Sequence, residues 1–304
     1  MTIIIDTDAG HDDALAMLMM MANAPQDILC FTGVAGNAAI ENVARNIRAV
    51  QKMAGYENIP MHTGAPSPLK YDLVTANCHG ESGLDGLNMS DIQFELDGLA
   101  PEKIVELAHK YSGESVILTL GPLSNVAQAL QLDPTIESKI KQIVMMGGAI
   151  DVAGNQNRVA EFNIFVDPHA ADIVFQSSIP KVLVPLDPCN DLLIPLDGFD
   201  DLKGHRLYDN IHSLMQHFIS GIEDEIGVKG ALVYDALAAY YLISPEAYIL
   251  EPMDVVVETE GIHTRGMTIA EKRGKAKRNN NMHVVTSIDS DMFTKDMIGL
   301  LSKL

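Results

Sequence analysis

The chain has 304 residues, 47% of them hydrophobic and 20% charged, a balance that excludes an intrinsically disordered protein and permits a sizeable core. Against 21 basic residues stand 41 acidic ones, and the formal charge of −20 repels phosphate backbones and anionic lipid, which argues against nucleic acid or a membrane surface as partner. Cys30, Cys78 and Cys189 are too few and too scattered for a disulfide framework or a CxxC metal pair, and they point to a reducing cytoplasm.

Residues 2–5 read as a buried strand, with no basic stretch and apolar signal core ahead of them. Residues 12–24 follow as a helix. The longest apolar run, residues 14–22, is shorter than the ~20 residues of a membrane helix. A strand at 28–35 and a helix at 40–54 repeat the unit, and so do a strand at 116–120 and a helix at 123–130. Short β-like runs at 143–146 and 182–185 bracket a helix at 168–175. Strands that are apolar throughout belong in a parallel sheet covered on both faces, and strand–helix alternation makes that sheet doubly wound. The second half is less regular: helices are predicted at 206–222 and 235–243, and two or three strands over 254–285. The basic run at 272–278 reads as a solvated hairpin tip beside Gly274 and Asn279–Asn281 rather than as a phosphate site. The expected architecture is α/β: one open, mostly parallel, Rossmann-like sheet with an elaborated helical and β C-terminal half, in a single domain spanning residues 1–304.

The strongest chemical signal is Asp6-Thr7-Asp8-Ala9-Gly10-His11-Asp12-Asp13, four carboxylates in eight residues directly after a buried strand. Like charges at close range raise one another's pKa, burial adds to the effect, and a bound cation resolves the conflict. An all-oxygen ligand set suits a hard ion, Ca²⁺ or Mg²⁺. The run lacks the spacing of an EF-hand and contains no GxxxxGK[ST]. Polar groups follow the other strands too: Gly36-Asn37, Gly121-Pro122-Leu123-Ser124-Asn125, Met146-Gly147-Gly148 and Asp187. Ligands of open parallel sheets bind outside the carboxyl ends of the strands, so these segments compose one site. Asn155, Glu161 and Asn163 have the amide and carboxylate groups that recognise hydroxyls, and Cys78-His79-Gly80-Glu81-Ser82-Gly83 is a glycine-bracketed loop with a candidate acid–base histidine. No GxSxG elbow supports a serine triad.

Together these residues resemble the inosine–uridine-preferring nucleoside hydrolase family, whose DxDxGxDDxxA signature stands here as Asp6 to Ala16. The resemblance continues in order through Gly36-Asn37, His79-Gly80, Gly121 to Asn125, Met146 to Gly148, Glu161-Phe162-Asn163 and Asp235-Ala236-Leu237-Ala238. It implies hydrolysis of ribonucleosides to ribose and free base around a Ca²⁺ ion. Asp8, Asp13, Asp235 and the backbone carbonyl of Leu120 would hold the ion, and Asp8 would take the proton of a calcium-bound water. Asp12, Asn155, Glu161 and Asn163 would grip the ribose hydroxyls, with Asn37 beside Asp12 and Met146 packed on the sugar. The resemblance also implies a homodimer or homotetramer. The chain departs from the family pattern at Ala9, where Pro is usual, and at His11, where an aliphatic residue is usual. It departs again at Tyr234, where many members have a histidine that protonates the departing base, and it has no Trp to stack on a purine. His79 is then favoured over His11 as the acid, and Tyr234 is read as stacking on or orienting the base. Two other readings stay open: a metal-dependent phosphoesterase, disfavoured by the lack of Lys or Arg near the acidic motif, and a nucleoside- or sugar-binding homologue without catalysis.

Overall fold

The computed structural model describes residues 1–274 and 279–304. The strands are β1 (Thr2–Thr7), β2 (Ile28–Gly33), β3 (Met61–Thr63), β4 (Ser115–Thr119), β5 (Gln142–Met146), β6 (Lys181–Val184), β7 (Tyr248–Met253), β8 (Val255–Val257), β9 (Thr268–Ala270) and β10 (Met282–Ile288). The helices are α1 (His11–Asn23), α2 (Ile40–Ala54), α3 (Ala100–Lys110), α4 (Ser124–Leu132), α5 (Phe162–Val166), α6 (Pro168–Gln176), α7 (Leu186–Cys189), α8 (Tyr208–Ile226), α9 (Tyr234–Ile243) and α10 (Ser290–Leu301).

Eight strands form one sheet in the order β3-β2-β1-β4-β5-β6-β10-β7, parallel except for β7, which runs antiparallel to β10 at the edge. β1 shows why the sheet is buried on both faces. Ile3 and Ile5 pack into the layer that contains α1, α2 and α9, and Ile4 packs into the other layer, with α4 and α6. An uninterrupted Ile-Ile-Ile run is what such a strand requires, because successive side chains point to opposite faces. α1 is buried from His11 to Met21 and packs against α9, which accounts for its Met- and Leu-rich surface all round.

From β1 the chain order runs outward one way through β2 and β3 and the other way through β4, β5 and β6. The loops after β1 and β4 therefore part, and their divergence opens a crevice at the carboxyl ends of the two strands. Asp8 and Leu120 stand there, each one residue past its strand.

The predicted doubly wound sheet is present, along with each predicted strand and helix of the first half. The hairpin tip expected at 272–278 falls between β9, which pairs with β8 in a separate two-stranded sheet, and β10, which joins the main sheet. Residues 275–278 of that segment lie outside the described residues.

Candidate active site

The turn after β1 is built from its own side chains. Thr7 Oγ1 donates to Asp13 Oδ1 and accepts from the amide of Ala9 at 3.0 Å, while the amide of Gly10, the N-cap of α1, donates to Asp13 Oδ2 at 2.8 Å. Asp12 and Asp13 thus occupy the first helical turn, where the helix dipole favours negative charge. Ala9 has φ +50°, which the fixed φ of a proline cannot reach, and its amide is engaged, so the departure from the usual Pro is matched by the backbone.

Around this turn the acidic groups converge. Carboxylate oxygens of Asp12, Asp13 and Asp235 lie within 4.8 Å of one another. Asp8 Oδ2 accepts from the amide of Asn37 at 2.8 Å, and Asn37 Nδ2 donates to Asp13 Oδ2 at 3.3 Å. A Cβ at Gly36 would stand 2.2 Å from Asp8 Oδ2, so only glycine lets the chain pass this close. All four carboxylates are buried. Asp8 Oδ1 and Asp235 Oδ1 are sealed from solvent without a hydrogen-bond partner among the described residues.

Burial pushes the pKa of Asp12 up to about 8, with the Asp13 charge adding to it. It raises Asp8 as well, helped by Asp13 and Asp12, and Asp235, helped by Asp12, Asp13 and Asp8. Asp13 is raised by burial and partly restored by its hydrogen bonds with Thr7, the Asp235 side chain and the Gly10 amide. Among the described residues no lysine or arginine offsets these carboxylates. Two orphaned oxygens, four mutually repelling carboxylates and an oxygen-only donor set fit a hard divalent cation. The carbonyl of Leu120 is buried beside them and accepts from Asn163 Nδ2 at 2.8 Å.

A cleft of about 240 Å³ opens onto the cluster. Asp12, Asn37, His79, Leu120, Met146, Asn155, Glu161, Asn163, Tyr234 and Asp235 line it, so ten of the twelve residues singled out in the sequence meet in one cavity. Asp8 and Asp13 lie beneath, bonded to Asn37. Glu161 caps α5, accepting from the amides of Asn163 and Ile164 at 2.8 and 3.1 Å, and from Gly148 at 3.0 Å. These three amides fix its orientation. Asn163 spends its amide hydrogens on Leu120 O and on Met146, which leaves its Oδ1 for a ligand. Asn155 Oδ1 accepts from the amide of Phe162 at 2.9 Å and keeps its Nδ2.

Tyr234 begins α9, and its hydroxyl donates to Asn190 Oδ1 at 2.9 Å. Burial pushes the phenol pKa up from its ordinary value, with the Cys189, Asp12 and Glu161 charges adding to it. His79 is buried, and its ring is tied to His11. Burial lowers both histidines, His11 to about 4. Sequence reasoning missed Asn190 as the partner of Tyr234. It also missed Phe218, which lines the cleft from α8 and lies parallel to His11 and His79. Among the described residues the lining includes no Lys or Arg, which disfavours a phosphate ester as ligand.

Residues 3–295 match the inosine-uridine preferring nucleoside hydrolase family. The chain belongs to this family. It is 36% identical over 296 residues to the pyrimidine-specific ribonucleoside hydrolase RihA of Escherichia coli O7:K1, covering 96% of this chain and 95% of the relative. Among solved structures it resembles the plant nucleoside hydrolase PpNRh1 (TM-score 0.91, 25% identity, 99% and 98% of the two chains). It also resembles a purine-preferring ribonucleoside hydrolase from Gardnerella vaginalis (TM-score 0.91, 27% identity, 99% and 98%). As a member of the family the protein is an enzyme, a nucleoside hydrolase acting on ribonucleosides, and the acidic cluster is where a metal-dependent hydrolase would hold its ion.

Proposed function

We propose that the enzyme hydrolyses the N-glycosidic bond of ribonucleosides with the help of a calcium ion, and that pyrimidine ribonucleosides are preferred. The observation that carries the reading is the buried set of carboxylates with two unpartnered oxygens at the β1–β4 crevice. Asp8, Asp13, Asp235 and the Leu120 carbonyl would hold the ion, which when bound neutralises the cluster and lowers the pKa of water. The pyrimidine preference is supported by relatives named pyrimidine-specific at 36% identity, and by a chain without Trp to stack on a purine.

The protein's own groups divide the remaining work. Asp8 takes the proton of the attacking water at its unpartnered Oδ1. Asp12, Asn37, Asn155, Glu161 and Asn163 bind the ribose hydroxyls, and Met146 packs against the sugar. The carboxylates also face the positive charge that builds on the ring as the bond breaks. His79 carries the proton to the departing base. Tyr234 stacks on or orients the base, since its hydrogen is committed to Asn190 and its phenol is harder to ionise than usual.

Incubation with uridine, inosine and p-nitrophenyl phosphate separates the alternatives: reducing sugar should appear from the nucleosides, uridine faster, and no phosphate from the ester. Phosphate release without ribose would overturn the reading, and tight nucleoside binding without either product would mark a catalytically silent homologue.

Two further outcomes follow from the lining. A pocket built to pair hydroxyls rejects substrates that lack one by up to about 10⁴–10⁵-fold, so uridine should exceed 2′-deoxyuridine in kcat/KM by at least ~10³-fold. Equal values would remove Asp12, Glu161 and Asn163 from sugar recognition. Tyr234→Phe should keep kcat on uridine within about threefold, whereas Tyr234→Ala should raise KM by roughly tenfold through lost ring contact. A large kcat loss in the Phe variant, absent on p-nitrophenyl riboside, would instead make the hydroxyl a proton donor.

A further inference from the structure

The sugar-binding segment depends on support from outside itself. Asn155 lies in irregular chain, and Glu161 and Asn163 stand at the start of α5, whose five residues are too few for a helix to persist alone. The support comes from the small sheet. After β8 the chain turns over residues 258–267 and returns into β9 alongside this segment. Thr268 Oγ1 donates to the carbonyl of Ala149 at 2.7 Å, and Met267 forms an antiparallel bridge with Ala160. A Cβ on Gly266, at φ +80°, would stand 2.6 Å from Phe165 Cα, so only glycine lets the two chains approach this closely. Beside it, the guanidinium carbon of Arg265 lies between two aromatic rings, 3.9 Å from the centroid of Phe165 in α5 and 4.3 Å from that of Tyr71. Arg265 makes no ion pair among the described residues of a chain with 41 acidic ones, so the ring faces are what hold it. Tyr71 forms the other jaw of this clamp. Its hydroxyl donates to the Thr259 carbonyl at 2.8 Å and Lys70 pairs with Glu260, which fastens both residues to the same turn. Shortly after Tyr71 the chain becomes the cleft wall that runs from Val74 to His79.

We infer that Arg265 is a positioning residue for ribose recognition: held between Phe165 and Tyr71, it fixes α5, and with it Glu161 and Asn163, relative to the wall that carries His79. A planar cation gripped on both faces keeps one orientation, which a flexible apolar contact would not enforce. Arg265 itself does not line the cleft, so it acts on the substrate only through α5 and the wall. The inference rests on the reading that Glu161 and Asn163 pair the ribose hydroxyls. Such pairing is sensitive to placement, because a shift of about 1 Å in a positioning group costs on the order of 10²-fold.

The test uses the full-length enzyme with saturating calcium and compares kcat/KM on uridine with that on its 2′-, 3′- and 5′-deoxy analogues. Each ratio cancels the fraction of enzyme that is active, so general destabilisation does not move it. Arg265→Ala should lower the ratio for at least one analogue by about tenfold or more, through a larger loss on uridine than on the analogue. Arg265→Lys, which keeps a cation between the rings, should recover more of that ratio than Arg265→Gln. Phe165→Leu and Tyr71→Leu, each removing one ring face, should lower it by a smaller factor, and Phe165→Leu added to Arg265→Ala should change it by less than about twofold. Calcium affinity should stay within about threefold, since the proposed ligands lie on other elements. Equal losses on uridine and every analogue, no advantage of Lys over Gln, or a parallel loss of calcium binding would overturn the inference. The wild type separates this from the reading beneath it. If the wild-type enzyme discriminates against none of the analogues, the ribose reading fails; if it discriminates and Arg265→Ala keeps the same ratios, the positioning role alone fails.

Discussion

Asp13→Ala is expected to abolish tight calcium binding and to remove the thermal stabilisation that calcium gives the wild-type enzyme. Asp13 is the hub of the cluster: it accepts from Thr7, Gly10 and Asn37, and its carboxylate lies with those of Asp12 and Asp235. At calcium a hundredfold above Kd, the linkage term contributes about 2.7 kcal/mol to the wild type. In a chain of this size that shifts Tm by very roughly 4–8 °C, and the variant should show none of it. The same carboxylates fix the pH dependence of the metal-free enzyme. Burial raises the folded-state pKa of Asp12 from 3.8 to about 8, so between those values the folded state holds a proton that the unfolded chain has lost. Stability of the metal-free enzyme should therefore fall as pH rises through that window, and calcium should restore it at the alkaline end. Unchanged calcium affinity by calorimetry in the Ala variant would remove Asp13 from the ligand set.

Asp8→Asn should leave the fold intact and cost kcat more than any sugar-binding change. The substitution keeps the acceptor for the Asn37 amide but exchanges the unpartnered Oδ1 for a group that cannot take a proton, or rotates an NH₂ into its place. General-base catalysis contributes about 10²–10⁴-fold, and the loss of a charged ligand adds to it. Steady-state turnover of uridine, with calcium occupancy checked by calorimetry, measures the effect. Near-normal turnover of a calcium-loaded Asn variant would move the base to another residue.

The parts of this architecture written locally were legible in the sequence. A strand buried on both faces needs apolar residues at successive positions, and residues 3–5 supply them; the acidic turn is a contiguous run of carboxylates, Gly and Thr at the end of that strand. β7 was not legible, because an edge strand that is half exposed and contains Glu251 and Pro252 has neither a continuous nor an alternating apolar pattern. β3 is three residues long, too short for any periodicity. The pairings that refine the site were also invisible. His11 meets His79 across 68 residues and Tyr234 meets Asn190 across 44, contacts that exist only once α1, the loop before α3, α7 and α9 have been brought to one end of the sheet. The capping of α5 by Glu161 was not legible either, since it depends on a five-residue helix that gives no sequence signal.

The most direct measurement is ribose release from uridine by enzyme stripped with chelator and then titrated with calcium. Turnover should be negligible in the stripped enzyme and should return with calcium along the same saturation curve as the metal's binding isotherm. Full turnover in the presence of chelator, or no ribose from uridine or inosine once calcium is bound, would contradict a calcium-dependent ribonucleoside hydrolase built on Asp8, Asp13, Asp235 and Leu120.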